Sequence, residues 1–207
     1  MAIDPDVLTK LKPVPYATIR DEIQDGDLLL CSATDPFSKL IRWATKSPWS
    51  HVAIAFRLPH VDRVIVLECV EKIGVRAVPL SAFIAQTSTG RKPYPGKIVL
   101  ARHKGLARKR TKPQLQKIYK FALDRCGDKF SPAEIMRIGL RVLVGRLNRK
   151  MPKSLGPQDE YICSEYVARC LETVGIRIEW DKCGFIAPCD FGLDPHVEAI
   201  AQIKTPR

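Results

Sequence analysis

A cysteine at the start of a predicted helix is the first residue whose position suggests chemistry. Cys163 lies at the first turn of a helix predicted over 160–174. The positive end of a helix dipole favours a thiolate, and backbone N–H groups at the same end can hold a developing oxyanion. The alternative is a plain core residue, because the apolar stripe of the helix continues with Val167, Cys170 and Val174. In either case the stripe turns Cys163 toward the protein.

A histidine at the start of a predicted strand is the candidate base for this thiol. In the strand predicted over 50–56, His51, Ala53 and Ala55 share one face. The small alanine side chains leave room in front of the histidine, so that a helix carrying the cysteine can pack close on this face. The alternative is a capping or surface histidine at the start of a strand.

An acidic residue inside an apolar strand completes a candidate triad. A base histidine needs a third group that fixes its tautomer and stabilises its charged form. Glu68 lies within the strand predicted over 64–70, where an unpaired buried carboxylate would be costly. The expected hairpin register sets Arg57 opposite Val64. Glu68 is then a diagonal neighbour of His51, roughly 7–8 Å away between backbones, and a slip of two residues would set the two directly opposite. The next acid along the chain would lie on the other face of the strand, away from His51, unless a β-bulge intervenes.

The elements that must position these residues are strands in the first half and helices in the second. The pattern predicts strands over 27–31, 50–56, 64–70, 74–78 and 97–101, and helices over 36–45, 113–126, 132–147 and 160–174. Ser81 is a candidate cap for a short helix between the last two strands, and Gly175 ends the last helix. This order is typical of the α+β class.

Length and composition indicate one globular domain. The 207 residues are 45% hydrophobic and 27% charged, enough to bury a core without disulfides. We expect a lead-in over 1–23, a catalytic domain over 24–195 and a tail over 196–207. No apolar run approaches the ~20 residues of a spanning helix. The start has acids and a proline where a signal peptide would place basic and then apolar residues. A soluble, cytoplasmic protein is therefore expected.

Cysteine spacing gives no sign of a metal site. Seven cysteines cannot all pair internally, and reduced thiols are the simpler interpretation. No Cys-x-x-Cys pair exists, and the step from Cys183 to Cys189 fits no common zinc spacing. A glycine-rich phosphate loop is also absent from the sequence. We therefore expect no metal and no cofactor.

Four short segments together carry a family resemblance. They are Gly26-Asp27-Leu28-Leu29, Ser50-His51-Val52-Ala53-Ile54, Val66-Leu67-Glu68 and Cys163-Ser164-Glu165. In this order they resemble the YiiX-like, circularly permuted branch of the NlpC-type papain-fold cysteine peptidases, over roughly residues 24–195. In the unpermuted members the cysteine helix comes first, whereas here the histidine strand precedes it, as in the permuted branch.

The resemblance implies a papain-like α+β fold, with an antiparallel sheet packed against helices, and a triad of Cys163, His51 and Glu68. It also implies a cysteine hydrolase that cleaves an amide bond of a short or cell-wall-derived peptide through an acyl-enzyme. Family members often carry a tyrosine just ahead of the cysteine, near the oxyanion site. Here Ile162 is adjacent, and Tyr161 is one step further back.

Other residues are weaker candidates for contacts with the substrate or the oxyanion. Ser164 follows the cysteine directly. Trp43 and Trp49 flank His51 in sequence and could wall a cleft, although core packing is the commoner fate of such residues. The remaining histidines, expected to be structural or at the surface, are His60, His103 and His196.

One segment carries the whole excess of positive charge. The net charge is +12, and residues 102–153 hold 16 basic and 3 acidic side chains. The predicted basic amphipathic helix within 132–150 could lie on an anionic membrane surface, although a core-facing helix with a solvated basic face is the simpler alternative. Aromatic residues are few in the stretch, so a nucleic-acid partner is not expected.

Two further functions therefore stay open beside the amidase. Relatives of the fold include lecithin–retinol acyltransferase-like enzymes, so the same chemistry could serve a lipid-directed acyltransferase, thioesterase or lipid amidase. The third hypothesis is a non-enzymatic basic binding module with a vestigial site.

Overall fold

A seven-stranded sheet determines where the helices of this protein lie. The computed structural model describes residues 3, 5–71, 73–86, 92–108, 110–130, 160–180 and 186–206. The strands are β1 (Pro13–Val14), β2 (Asp27–Ala33), β3 (His51–Leu58), β4 (Arg63–Val70), β5 (Gly74–Pro79), β6 (Gly96–His103), β7 (Lys129–Phe130), β8 (Glu160–Tyr161) and β9 (Val197–Ile203). The α-helices are α1 (Pro5–Lys10), α2 (Tyr16–Ile19), α3 (Pro36–Thr45), α4 (Leu80–Ala85), α5 (Lys104–Arg108), α6 (Lys112–Asp124), α7 (Cys163–Glu172) and α8 (Pro188–Leu193).

The strands predicted for the first half form the centre of the sheet. The order is β1-β9-β6-β2-β3-β4-β5, and all neighbours run antiparallel except β1 and β9. In the hairpin of β3 and β4, Arg57 lies opposite Val64, which confirms the expected register. The short strands β7 and β8 form a separate parallel pair. The predicted α+β class is confirmed.

Each face of the sheet is covered by its own core. On one face, which we call the helix face, Val52 and Ile54 pack in the cluster that contains Val167 and Cys170 of α7. On the other, the alanine face, Ala53 and Ala55 pack with residues of α4 and with the segment just before β2. The expectation that the cysteine helix packs in front of the alanine row was therefore wrong. Both faces of β3 are apolar, so its pattern could not tell which face receives α7.

The described segments near both ends of the chain pack on the same sheet. Ile3 and Leu8 are buried in the core of the helix face. Strand β9 lies between β1 and β6 inside the sheet, so the tail predicted from residue 196 contributes one of its strands. The boundaries at 23 and 195 separate segments that pack together.

Three predicted helix details differ from the structure. The helix predicted from residue 160 begins at Cys163, because residues 160 and 161 form β8. Ser81 lies inside α4 and does not cap it; the helix starts after Pro79 without a side-chain cap. Helices α5 and α8 were not predicted, since five and six residues are too few to show a helical period. The helix predicted over 132–147 lies outside the described residues.

Within the described residues, no helix has the length and apolar character needed to cross a bilayer.

A buried ion pair fastens the central strands. Asp27, fully buried at the start of β2, accepts two hydrogen bonds from the Arg102 guanidinium of β6, at 2.7 and 2.8 Å. We expect Asp27→Ala to lower the free energy of unfolding by roughly 3–5 kcal/mol, because it leaves a largely buried guanidinium without its partner. Urea denaturation measures the loss. Asp21→Ala, which removes an exposed partner of Arg57, is the control and should leave the urea midpoint nearly unchanged. Equal midpoints for the two variants would contradict the structural role of Asp27.

Candidate active site

Cys163 is the first residue of α7, as the sequence predicted for its place in the helix. Ile162 before it is extended, and the helix then runs to Glu172. The register of α7 is fixed by burial of Val167 and Cys170 against the sheet. It is fixed further by the Ser164 hydroxyl, which donates to the carbonyl of Ile186 at 2.8 Å. Cys163 itself stays partly exposed.

His51 and Cys163 meet at the end of a strand ladder. His51 begins β3, and the pairing of β3 with β4 runs only from Leu58 to Ile54, short of the histidine. Interactions with the His51 ring and with the backbone N–H groups of Val52 and Ser164 lower the pKa of the Cys163 thiol. The thiol therefore reaches its partner around the end of the ladder, although α7 packs on the face opposite to the alanines.

Glu68 holds the far side of the histidine ring. Its Oε2 lies 2.7 Å from His51 Nε2, and its side chain is almost completely buried. Since Nε2 is engaged by the carboxylate, Nδ1 is the ring nitrogen that remains for the Cys163 thiol. The diagonal placement of Glu68 that the sequence predicted is the one found.

Cys163, His51 and Glu68 follow one another in this order and are called the row from here on. Arg76 is a fourth member of this row, and the sequence did not predict it. Its Nε and Nη2 donate to Oε1 of Glu68 at 2.9 and 2.6 Å, so the two carboxylate oxygens serve different partners. Arg76 lies directly opposite Glu68 in the pairing of β4 with β5. A usable signal was present: the tight connection that sets Val70 opposite Gly74 also sets Glu68 opposite Arg76.

The charges of the row shift the three pKa values in a coupled way. Burial raises the pKa of the Cys163 thiol, but the His51 charge and the hydrogen bonds at the sulfur outweigh it, so the pKa lies below its usual value. Burial lowers the pKa of His51, but the Cys163 thiolate and the Glu68 carboxylate outweigh it and raise the pKa to about 10. Burial raises the pKa of Glu68, but His51 and then Arg76 bring it below its ordinary value. The arrangement favours a thiolate beside an imidazolium.

The weaker candidate residues from the sequence lie in different surroundings from one another. Trp49 is buried, its indole N–H donates to the carbonyl of Ile3 at 3.1 Å, and its ring packs against Gly192, so its surroundings are those of a core residue. Trp43 is exposed on α3. Ser164 is buried beside the thiol, to which its N–H donates. The backbone of Tyr161 lies in β8, and its side chain is outside the described residues.

A second cluster of polar side chains lies away from this row. Ligand atoms of His103, Asp194 and His196 fall within 4.8 Å of one another, a spacing that a metal ion could use. However, the N–H of Gly105 donates to Nδ1 of His103 at 3.1 Å. The proton of a neutral His103 ring is therefore on Nε2, the nitrogen that faces Asp194 at 3.8 Å. A metal would have to displace that proton. Asp194 also accepts from the backbone N–H of His196 at 2.7 Å and lies 3.1 Å from its Nδ1, so the cluster fits a hydrogen-bonded histidine–aspartate group better.

A helix-terminal cysteine, a strand histidine and a buried acid, on an antiparallel sheet packed against the cysteine helix, define the papain-like class of proteins. The model of the C92 peptidase family, described as permuted papain-like amidase enzymes YaeF/YiiX, matches residues 22–132, which include His51 and Glu68. The chain belongs to this family.

A solved structure has the same fold. The crystal structure of the metalloprotein YiiX from Escherichia coli O157:H7 superposes with a TM-score of 0.60 and 20% sequence identity, over 88% of this chain and 98% of that one. At this identity the likeness concerns the fold. No curated protein sequence matches the chain.

Arg76 offers a test of the coupled row that needs no substrate. We expect Arg76→Met to raise the pKa of Glu68, because the carboxylate loses a cation. The site then holds one positive charge less beside the thiolate, which raises the pKa of the Cys163 thiol. The pH midpoint for alkylation of Cys163 by iodoacetamide should then rise by roughly one unit.

Mass spectrometry of the Cys163 peptide at a series of pH values measures this midpoint. Arg76→Lys keeps the charge and should move it less. Arg63→Met, at an exposed arginine of β4, is the matched control and should leave it in place. An unchanged midpoint in Arg76→Met would show that Arg76 does not influence the thiol.

Proposed function

We propose that the protein is a cysteine hydrolase that cleaves amide bonds, with Cys163 as nucleophile, His51 as acid and base, and Glu68 as the group that orients His51. The observation that carries the proposal is the unbroken row of contacts from the Cys163 sulfur through the His51 ring to the buried Glu68 carboxylate. Membership in a family of amidases supports the same kind of reaction.

The row supplies each proton that amide hydrolysis needs. The Cys163 thiolate attacks the carbonyl carbon, a carbon–sulfur bond forms, and the carbonyl oxygen becomes an oxyanion. His51 then donates its Nδ1 proton to the leaving nitrogen as the carbon–nitrogen bond breaks, which leaves a thioester and a neutral imidazole. The imidazole takes a proton from water, the resulting attack breaks the carbon–sulfur bond, and the acid leaves with the thiolate–imidazolium pair restored.

Two features around the start of α7 favour the charged intermediates. The backbone N–H groups of Val52 in β3 and Ser164 in α7 lower the pKa of the Cys163 thiol and so support its negative charge before attack. The oxyanion forms on the substrate carbonyl that is bonded to this sulfur, close to the N-terminus of α7, where backbone N–H groups and the helix dipole stabilise negative charge. Tyr161 remains a candidate for a further contact there.

The substrate class follows from the family and from the surroundings of the site. A short or cell-wall-derived peptide amide is the first candidate, since the family description is that of amidases. A lipid-directed amidase, thioesterase or acyltransferase is the second, because α3 presents exposed apolar side chains and leads directly into the histidine strand. Both candidates use the same acyl-enzyme. The anionic surface suggested for residues 132–150 lies outside the described residues.

The nucleophile assignment predicts a covalent intermediate. We expect Cys163→Ala to lower turnover of a library of acyl-peptide p-nitroanilides by more than about 1,000-fold, because no other group in the row can form the thioester. Acid quenching followed by intact mass analysis should show the acyl adduct only when Cys163 is present. Cys126→Ala removes an exposed thiol elsewhere and is the control. An adduct that persists in Cys163→Ala would show that Cys163 is not the nucleophile. Alkylation of Cys163 no faster at pH 7 than that of Cys126 would favour the non-enzymatic binding module.

The histidine assignment predicts a bell-shaped pH profile of kcat/KM. Activity should rise as Cys163 ionises and fall as His51 loses its proton near its pKa of about 10. Glu68→Gln removes the negative charge that supports the imidazolium, so the upper limb should move to lower pH. The rate at the optimum should fall at least about tenfold, because the amide can also favour the wrong tautomer. Glu71→Gln, at an exposed acid just beyond β4, is the matched control and should change neither limb. If Glu68→Gln behaved like this control, Glu68 would not be the orienting group.

A further inference from the structure

Helix α3 turns part of its apolar side to the solvent, although Phe37, Ile41 and Ala44 are half-buried. The residue of α3 that is buried is Ser38, whereas Leu40 and Trp43 are 50% and 51% exposed. An amphipathic helix that served only the core would bury the large apolar side chains and expose the serine. The outward apolar side therefore calls for an explanation other than core packing.

Polar contacts hold α3 in this orientation. The Asp35 carboxylate accepts a hydrogen bond from the N–H of Ser38 at 3.0 Å and caps the helix. Arg42 points back toward the sheet, where its Nη1 donates to the hydroxyl of Ser32 in β2 at 3.2 Å. With Ser38 and Arg42 on the inner side, Leu40 and Trp43, one turn apart, are fixed on the outer side.

The charge beside this apolar pair has one sign. Lys39 and Lys46 are exposed and lie along the same flank as Trp43 when 100° per residue is counted around the helix. Helix α3 contains no acidic residue between Pro36 and Thr45. Exposed indole and aliphatic side chains next to lysines match the boundary of an anionic bilayer, where the rings enter the headgroup region and the ammonium groups meet lipid phosphates.

The position of α3 places such a contact beside the candidate active site. The helix joins β2 to β3, and these strands pair Cys31 with His51 at the end from which α3 departs and to which it returns. We infer that α3 docks the protein on a membrane that contains anionic lipid, with Leu40 and Trp43 in the headgroup boundary. This goes beyond the proposed hydrolysis and does not depend on it, because it follows from α3 alone.

The test uses full-length Cys163→Ala protein, so that binding is measured without turnover and a failed hydrolysis assay cannot affect the outcome. Sedimentation with phosphatidylcholine vesicles, with and without phosphatidylserine, gives the partition coefficient. We expect binding to the anionic vesicles that weakens with added salt. Replacing both Leu40 and Trp43 by Asn should lower the partition coefficient at least about tenfold.

Leu123→Asn is the matched control, because Leu123 on α6 is 50% exposed, like Leu40. It should leave binding unchanged. Circular dichroism establishes that each variant is folded. Replacing Lys39 and Lys46 by Gln should weaken binding to anionic vesicles and reduce its salt dependence, with no effect on neutral vesicles.

Brominated lipids test the orientation directly. They should quench tryptophan fluorescence in the parent protein, and Trp43→Phe should remove most of that quenching, since Trp49 is buried and Trp180 is packed against the core. Three results would overturn the inference: absence of binding to anionic vesicles, equal binding by the Leu40 and Trp43 double variant, or a larger loss in Leu123→Asn. The last result would assign the membrane contact to the surface around α6.

Discussion

The structure depends most on one buried carboxylate that must serve two cations. Glu68 is almost fully buried, and a charge in that position is tolerated only if both oxygens are engaged. One oxygen faces His51 on β3 and the other receives the guanidinium of Arg76 on β5. The carboxylate thus links three adjacent strands through their side chains. A slip of one residue in either hairpin would turn a charged group of this row to the other face, so the register of the sheet and the geometry of the site are one constraint.

The thiol joins this row from the opposite face of the sheet. Helix α7 packs on Val52 and Ile54, whereas His51 belongs to the face that carries the alanines. The two can meet only where the ladder between β3 and β4 has ended, because a continuous sheet would separate them. There the N–H of Val52 is directed to the Cys163 sulfur. The end of the ladder therefore supplies both the passage for the thiol and a donor that supports its ionised form.

The sequence predicted the parts of this arrangement that depend on alternation and failed where two faces are alike. Period-two patterning set Arg57 opposite Val64 and so placed Glu68 diagonal to His51, and both were found. The side on which α7 packs could not be predicted, because the residues flanking His51 on both faces of β3 are apolar. Arg76 was missed since a charged residue in a short edge strand looks like ordinary surface. The core position of Trp49 depends on Ile3, which is distant in sequence and gives no local signal.

Helix α3 shows the same limit of periodicity in a form that bears on function. The spacing of its apolar residues correctly predicts a helix over 36–45, but a period states only which side chains share a side, not which side meets the protein. Here the choice is made by Ser38 and Arg42, whose contacts lie inward. Exposure of Leu40 and Trp43 to water is unfavourable in the isolated protein. The inward contacts of Ser38 and Arg42 prevent the helix from rotating to bury them. Folding alone does not explain why a helix beside His51 is held with Leu40 and Trp43 exposed. A surface that covers these two side chains would explain it.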